Sequence, residues 1–313
     1  MAGSGPEPMS RDSSPSTPLS RAGVFVAVVL AFNARDSLAR VLQGIEAQTV
    51  RPARTIVVDN GSTDGTAEMV RSDFPWITLL PLPENAGVGA GHRRGWEEAL
   101  RDDACEYIWS LEHDTFTDPG CLERLESESL RMTASGLRWG ALNARLERSA
   151  EEAVHTVLQH SDPALGAIER RRITFNGIVV PRTVIEAIGF PRDDFFVGHE
   201  DWEYSERLRA AGYHVMYDEH AIVIHPTKGN RRHGVTPSVL RLYYSMRNGV
   251  YVDHSVRKLR GSALRWTGWT LAAIASTVAR DDRKLARVSA RVVALYDGLM
   301  GRLGKRDYWF LRG

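Results

Sequence analysis

From Gly23 onward the chain alternates short apolar runs with segments of helical spacing. VFVAVVLAF, residues 24–32, is a continuous, largely β-branched run of strand length that turns polar at Asn33, the pattern of a strand buried on both faces. DSLARVLQGIEAQ then sets Leu38, Val41, Leu42 and Ile45 on one side of a helix, with Asp36 or Ser37 placed to cap it. RTIVVD predicts a second strand closing on Asp59. A Gly, Ser and Asn loop follows, with Asp64 as the N-cap of the next helical segment. WITLLPLP predicts a third strand, NAGVGAGHRRG a glycine-rich loop, GWEEALRDD a helix and YIWSL a fourth strand. Strands alternating with helices imply an α/β fold built on a parallel sheet with helices on both faces.

Composition narrows the class. At 313 residues, 43% hydrophobic and 25% charged, the chain suits a soluble globular protein with one large core or two modest ones. A net charge of +1 makes no electrostatic case for a nucleic-acid partner. Cys105 and Cys121 form neither a metal-type pair nor a disulfide framework, which fits a reducing cytoplasm. Residues 1–22, rich in Pro, Ser and Gly without an apolar core, read as a disordered tail rather than a signal peptide. Residues 263–278, ALRWTGWTLAAIASTV, are too short and too interrupted by Arg265 to span a bilayer. They read either as a helix packed on its own domain or as a peripheral contact on the cytoplasmic face of the membrane, through Trp266 and Trp269.

Polar residues collect at the predicted carboxyl ends of the strands, where ligands gather in such sheets: Asn33, Asp59 with Asn60, Asn85, and Glu112 with Asp114. In WSLEHDTFTDPG an apolar strand runs straight into two carboxylates one residue apart. An extended segment points both to one face, with Cα atoms roughly 6.5 Å apart. Carboxylates are seldom buried unless paired or metal-bound; a polar loop beginning where the strand ends is the alternative. Asp59 either accepts hydrogen bonds from ribose hydroxyls or a base N–H, or closes a tight turn. Gly87, Gly89, Gly91 and Gly95 follow the third strand rather than the first, which argues against a nicotinamide-binding domain. HEDWEYSER crowds Glu200, Asp201 and Glu203 among Phe195, Phe196, Val197 and Trp202. It is either a solvated acidic helix start or a partly desolvated site where a carboxylate gains basicity.

Taken in order, VxxAFN (ending at Phe32 and Asn33), VVDNGSTDGT, the NxG of Asn85 and Gly87, and the acidic triplet ending at Asp114 resemble the family 2 glycosyltransferases. FFVGHEDWEYSERLRAAGYHV, IHPTKG, YYSMRN and YDGLMGRLGK extend the resemblance toward the rhamnosyl- and galactofuranosyl-transferase branches, over roughly residues 23–305. The resemblance implies a GT-A nucleotide-binding domain over residues 23–235 and a helical extension over 236–313. It implies inverting, metal-dependent transfer of a hexosyl or deoxyhexosyl group from a nucleotide sugar to a hydroxyl acceptor on a glycan, a lipid carrier or a natural product. Phe32, Asn33, Asp59, Asn60, Asn85, Gly87 and Glu112 would then bind the nucleotide sugar, and Asp114 a Mn²⁺ or Mg²⁺ ion. His225 either joins the metal site or is structural. Asp201 would be the general base, with Glu200, Trp202 and Glu203 positioning the acceptor. Departures from the family pattern are Glu112 in place of aspartate, His92 and Arg93 in place of arginine and asparagine, and Gly198 in place of the rhamnosyl branch's aspartate. The rival readings are a catalytically silent sugar-nucleotide-binding subunit and a sugar-phosphate nucleotidyltransferase.

Overall fold

The computed structural model describes residues 23–148, 166–226, 238–280 and 283–312. The expected tail of residues 1–22 and the expected domain boundary near 235 lie outside them. β1 (Phe25–Ala31), α1 (Arg35–Glu46), β2 (Arg54–Asp59), α2 (Thr66–Asp73), β3 (Thr78–Pro81), α3 (Val88–Ala99) and β4 (Tyr107–Glu112) come first in the chain. These four strands are parallel, in the order β3-β2-β1-β4. The chain continues through β5 (Phe116–Thr117), α4 (Cys121–Ala134), β6 (Trp139–Glu147), β7 (Ile168–Glu169), β8 (Ile178–Pro181), α5 (Arg182–Ile188), α6 (Glu200–Ala210) and β9 (His214–Ile224). β8 runs antiparallel between β4 and β6, β9 lies parallel to β6, and β5 and β7 pair antiparallel with β9. Six of the nine strands therefore point the same way, which meets the expectation of a mostly parallel α/β sheet.

Side-chain alternation along β1 divides the core in two. Ala27 and Val29 pack with α1, α2 and α4 on one face; Val26, Val28 and Leu30 pack with α3, α5 and α6 on the other. That is why the run reads as apolar without alternation. A third core belongs to α7 (Val239–Tyr251), α8 (Ser262–Arg280) and α9 (Lys284–Leu299), around Tyr243, Tyr244, Val250, Ala290 and Phe310. Phe196 and Val197, from the loop before α6, pack into this third core, so the helical extension and the sheet domain share apolar surface. Both cysteines are free and buried.

Two local expectations are corrected. The glycine-rich stretch is not a loop: α3 already begins at Val88. Its glycines let the helix lie flush on the sheet, since a Cβ at Gly91 would stand 2.3 Å from Leu30 Cδ1, and one at Gly95 would stand 2.3 Å from Val28 Cγ1. Packing outweighs the poor helix propensity of glycine here. Neither Asp36 nor Ser37 caps α1, which starts after Ala34 without a cap from its own side chains. The neighbouring loop serves instead, with the Ala34 N–H donating to Thr66 Oγ1 and the Arg35 N–H to Asp64 Oδ2. Asp64 also accepts from the Thr66 N–H, although the residue at the α2 cap position is Gly65.

Glycine-to-alanine changes are expected to act with opposite signs in two helices. Gly95→Ala inserts a methyl group against Val28 and Val58, and overpacking costs about 1–3 kcal/mol. Gly268→Ala in α8 meets nothing within 4 Å and gains about 0.5–1 kcal/mol of helix propensity. Thermal unfolding checks both: Tm should fall for the first and rise for the second.

Candidate active site

Parallel register brings the ends of β1, β2, β3 and β4 level. Leu30 pairs with Glu112, Ala31 with Asp59, and Asp59 with Pro81, so the loops leaving β1, β2 and β4 open side by side. At the β1 end Phe32 is exposed and Asn33 adopts φ 46°. The Asn33 side chain accepts from the Thr63 N–H at 2.9 Å, and its own N–H donates to Ser62 Oγ at 2.9 Å. Asp59 is buried and accepts from the Ser62 N–H at 3.2 Å. Gly61 passes so close to the backbone of Glu84 and Asn85 that a Cβ there would clash at 2.5 Å. The β2 and β3 loops thus form one continuous rim.

Asn60 serves that rim rather than the open space above it. Its amide donates to Asn85 Oδ1 and to the Gly87 carbonyl, and its oxygen accepts from the Ala86 N–H. Asn85 in turn accepts from the Gly87 N–H. Gly87 has φ 97°, and a Cβ there would fall 2.4 Å from the Phe196 carbonyl oxygen. The NxG turn therefore abuts the loop that leads into α6.

Glu112, Asp114 and His225 converge. One ligand atom from each lies within 4.8 Å of the others. Strand pairing makes this happen: β5 pairs Phe116 with Ile224, and His225 follows directly after. His225 Nε2 stands 3.3 Å from Asp114 Oδ1. The Asp114 carboxylate raises the His225 pKa against the opposing effect of burial. Burial would raise Asp114, but the His225 hydrogen bond and the charges of His113 and His225 outweigh it and hold the carboxyl below its ordinary value. Two carboxylates and an imidazole nitrogen around one small space form a donor set that suits Mn²⁺ or Mg²⁺. Among the described residues, buried Asp114 Oδ1 has no polar partner beyond the His225 ring nitrogen.

His92 is a residue that sequence reasoning left unassigned. It is fully buried on α3, with Nδ1 3.0 Å from Ser110 Oγ and Nε2 3.8 Å from Glu112 Oε1. Trp96 Nε1 donates to the same Ser110 oxygen. Ser110 can then give its proton to His92 Nδ1, which fixes the tautomer with Nε2–H directed at Glu112. The signal was its place in the motif, where the family pattern has arginine.

Above this cluster the 194–199 loop carries an unusual backbone. Phe196, Gly198 and His199 have φ values of 67°, 83° and 70°. Such conformations persist only where the surroundings hold them, and here α7 does so. Arg247, fully buried, donates to the carbonyls of Asp194, Phe195 and Gly304, while Asn248 donates to those of Phe195, Val197 and Gly198. The loop feeds Glu200 and Asp201 into the first turn of α6. Burial raises the pKa of both. The Asp201 charge adds to the shift at Glu200, and the Glu112 charge acts on both, which places these carboxylates near the acidic cluster. Asp201 Oδ1 accepts from the Trp202 N–H at 2.7 Å.

Trp202 lies beside His199 and beneath the Arg172 guanidinium, 3.7 Å from the ring centroid, with Nε1 donating to Glu206. Glu203 is not brought into this group. It is buried in a two-point pair with Arg207, whose other nitrogens hold the Ile188 and Phe190 carbonyls after α5. Two helix positions separate it from Asp201, and it faces the core.

Residues 26–132 match the model of the family described as Glycosyl transferase family 2. The chain is 24% identical over 232 residues to N-acetylglucosaminyl-diphospho-decaprenol L-rhamnosyltransferase of Mycobacterium tuberculosis, covering 64% of this chain and 76% of the relative. It is 24% identical over 279 residues to galactofuranosyltransferase GlfT1 of Mycolicibacterium smegmatis, covering 79% and 89%. The fold is similar to that of mannosyltransferase PcManGT from Pyrobaculum calidifontis, solved in complex with GDP-Man and Mn2+, with a TM-score of 0.56, 16% identity, and 90% and 89% of the two chains covered. With its GT-A-type sheet and its polar strand ends, the chain carries a Glycosyl transferase family 2 domain over residues 26–132 and is similar to the rhamnosyl- and galactofuranosyl-transferases.

Proposed function

We propose that this enzyme transfers a hexosyl or deoxyhexosyl group from a nucleotide sugar to a hydroxyl of a lipid-linked acceptor, with inversion and with a divalent cation. The observation that carries this reading is the placement of partly buried Asp201 where the charge of Glu112 reaches it, beside the Glu112, Asp114 and His225 cluster. The nucleotide lies against Phe32, Asn33 and Asp59, on a rim braced by Asn60 and Asn85. Glu112, Asp114 and His225 hold Mn²⁺ or Mg²⁺. When bound, that ion supplies Lewis-acid neutralisation of the charge developing on the departing nucleoside diphosphate. Asp201 takes the proton from the acceptor hydroxyl as its oxygen bonds to the anomeric carbon and the bond to the diphosphate oxygen breaks. One displacement with one base inverts the centre and needs no enzyme nucleophile. Burial supports the base role, because it lifts Asp201 above the ordinary aspartate value of 3.8 and so increases its affinity for a proton. The lipid-linked acceptor is favoured by the rhamnosyltransferase relative, whose name specifies a diphospho-decaprenol carrier.

Asp201→Asn keeps shape and hydrogen bonding but removes the proton acceptor. Transfer from a nucleotide sugar should lose about 10²–10⁴-fold in kcat with donor KM nearly unchanged. Glu203→Gln, a change of equal charge, should leave no comparable kinetic loss. An Asp201→Asn variant with full kcat and weakened donor binding would remove Asp201 from the chemistry.

Asp114→Ala should abolish Mn²⁺-dependent binding of nucleoside diphosphate in calorimetry, whereas Glu112→Asp should retain it. Metal binding requires His225 without its proton, and Asp114 raises the His225 pKa. Mn²⁺ affinity of the wild type should therefore climb as pH rises through that raised value, with proton release. His225→Gln should flatten this dependence.

A further inference from the structure

The helix α8 is turned inside out. Its buried positions are Ser262, Thr270 and Thr277, whereas Leu264, Trp269, Leu271 and Val278 are exposed, Leu264 by 79% and Leu271 by 64%. Leu264, Gly268, Leu271, Ala275 and Val278 follow helical spacing along one exposed stripe. Among the residues of α8 whose side chains are described, the exposed side has no acidic residue and one charge, Arg265, which is tied to Asp253. The adjacent helix α9 repeats the pattern. Ala290, Ala294 and Asp297 are buried, while Leu285, Val292, Tyr296 and Met300 are exposed, Leu285 by 80%. In water the hydrophobic effect drives the opposite arrangement, and two such neighbouring faces mark an interaction surface.

The sequence reading paired Trp266 with Trp269 as interface anchors. Their rings stay in edge-to-face contact, centroids 5.5 Å apart, but differ in exposure. Trp266 is partly buried and its Nε1 donates to Asp253 at 3.1 Å, so only Trp269 remains on the exposed side. No helix among the described residues is long and apolar enough to cross a membrane. Charge indicates what covers the surface. The whole chain has a net charge of +1, yet between His254 and Tyr296 it carries nine Lys or Arg and only two acidic residues. Lys258 and Arg260 before α8, and Lys284 at the start of α9, are exposed. Apolar side chains flanked by basic groups fit the interface of an anionic bilayer, with the helices lying in its plane.

We infer that the exposed faces of α8 and α9 form a peripheral docking surface for anionic phospholipid. The same element reaches the acceptor side of the site. Arg265 and Trp266 bond Asp253, Asp253 pairs with Arg257, Arg257 with Glu206, and Glu206 accepts from Trp202. A docked bilayer would therefore lie on the side of the molecule connected to Asp201. The surface itself does not depend on the reaction proposed above.

Sedimentation of the full chain with phosphatidylcholine vesicles, with and without phosphatidylglycerol, tests the inference. The wild type should pellet with the phosphatidylglycerol vesicles at low salt and be released as salt rises. Leu264→Glu combined with Leu271→Glu should weaken partitioning at least about tenfold, with Tm and nucleoside diphosphate binding unchanged. Lys258→Glu with Arg260→Glu should weaken binding to the anionic vesicles alone. Trp76→Ala, which removes an exposed aromatic from the loop before β3, should bind as the wild type. Three results would overturn the proposal: wild type left in the supernatant with phosphatidylglycerol, a double leucine variant that binds normally, or a dimeric wild type that the leucine changes dissociate.

Discussion

Four carboxylates with no ion pair to a lysine or arginine among the described residues set the terms for this molecule. Glu112, Asp114, Glu200 and Asp201 act on one another in a partly desolvated space, where like charges repel strongly. What the chain supplies against this is modest: one imidazole against Asp114, the directed Nε2 of His92 toward Glu112, and the Arg172 charge acting on Asp201. Repulsion of this kind would push the acidic segments apart if their backbones were free. Each is instead fixed by a neighbour: the 113–115 turn by pairing of β5 with β9, and the loop before α6 by Arg247 and Asn248. The arrangement is held against its own electrostatics.

Much of the sheet domain was legible before any coordinates. The runs of β1, β2 and β4 are apolar because both faces are covered, and their polar ends mark the open edge. Asp59, Glu112 and Asp114 were found on that edge for this reason. What stayed hidden depends on partners far away in the chain. A glycine-rich stretch looks like a loop until Leu30, Val28 and Val58 are seen to need its missing side chains. Asn60 looks like a ligand group until its amide is found to be fully occupied by the next loop. Glu203 belongs to the same acidic segment as Asp201, and only the helix phase shows that it serves Arg207 instead. For α8 the apolar character was plain from the sequence; its outward orientation is a property of the packing around Thr270 and Thr277.

Arg247 and Asn248 illustrate how the two parts of the chain depend on each other. The buried guanidinium stacks near Tyr243 and Tyr244 while satisfying carbonyls from two distant segments. Removing either partner would leave buried carbonyls without donors, at about 1–3 kcal/mol each. The helical extension is thus part of the framework of the candidate site, with its third core reaching Phe196 and Val197 on the same loop.

Residues 304 and 305 extend this dependence to the far end of the described chain. The Gly304 carbonyl accepts from Arg247, its N–H donates to the Asp194 carbonyl, and Lys305 reaches Glu84 and the Asn85 carbonyl on the rim of the β2 and β3 loops. Those contacts join a segment made late in synthesis to loops made early. During translation the sheet can form as soon as its strands leave the ribosome, but the ties of residues 304 and 305 to Asp194, Glu84 and Asn85 form only once those residues have emerged. A nascent chain shorter than this would lack these ties between the rim and the loop before α6.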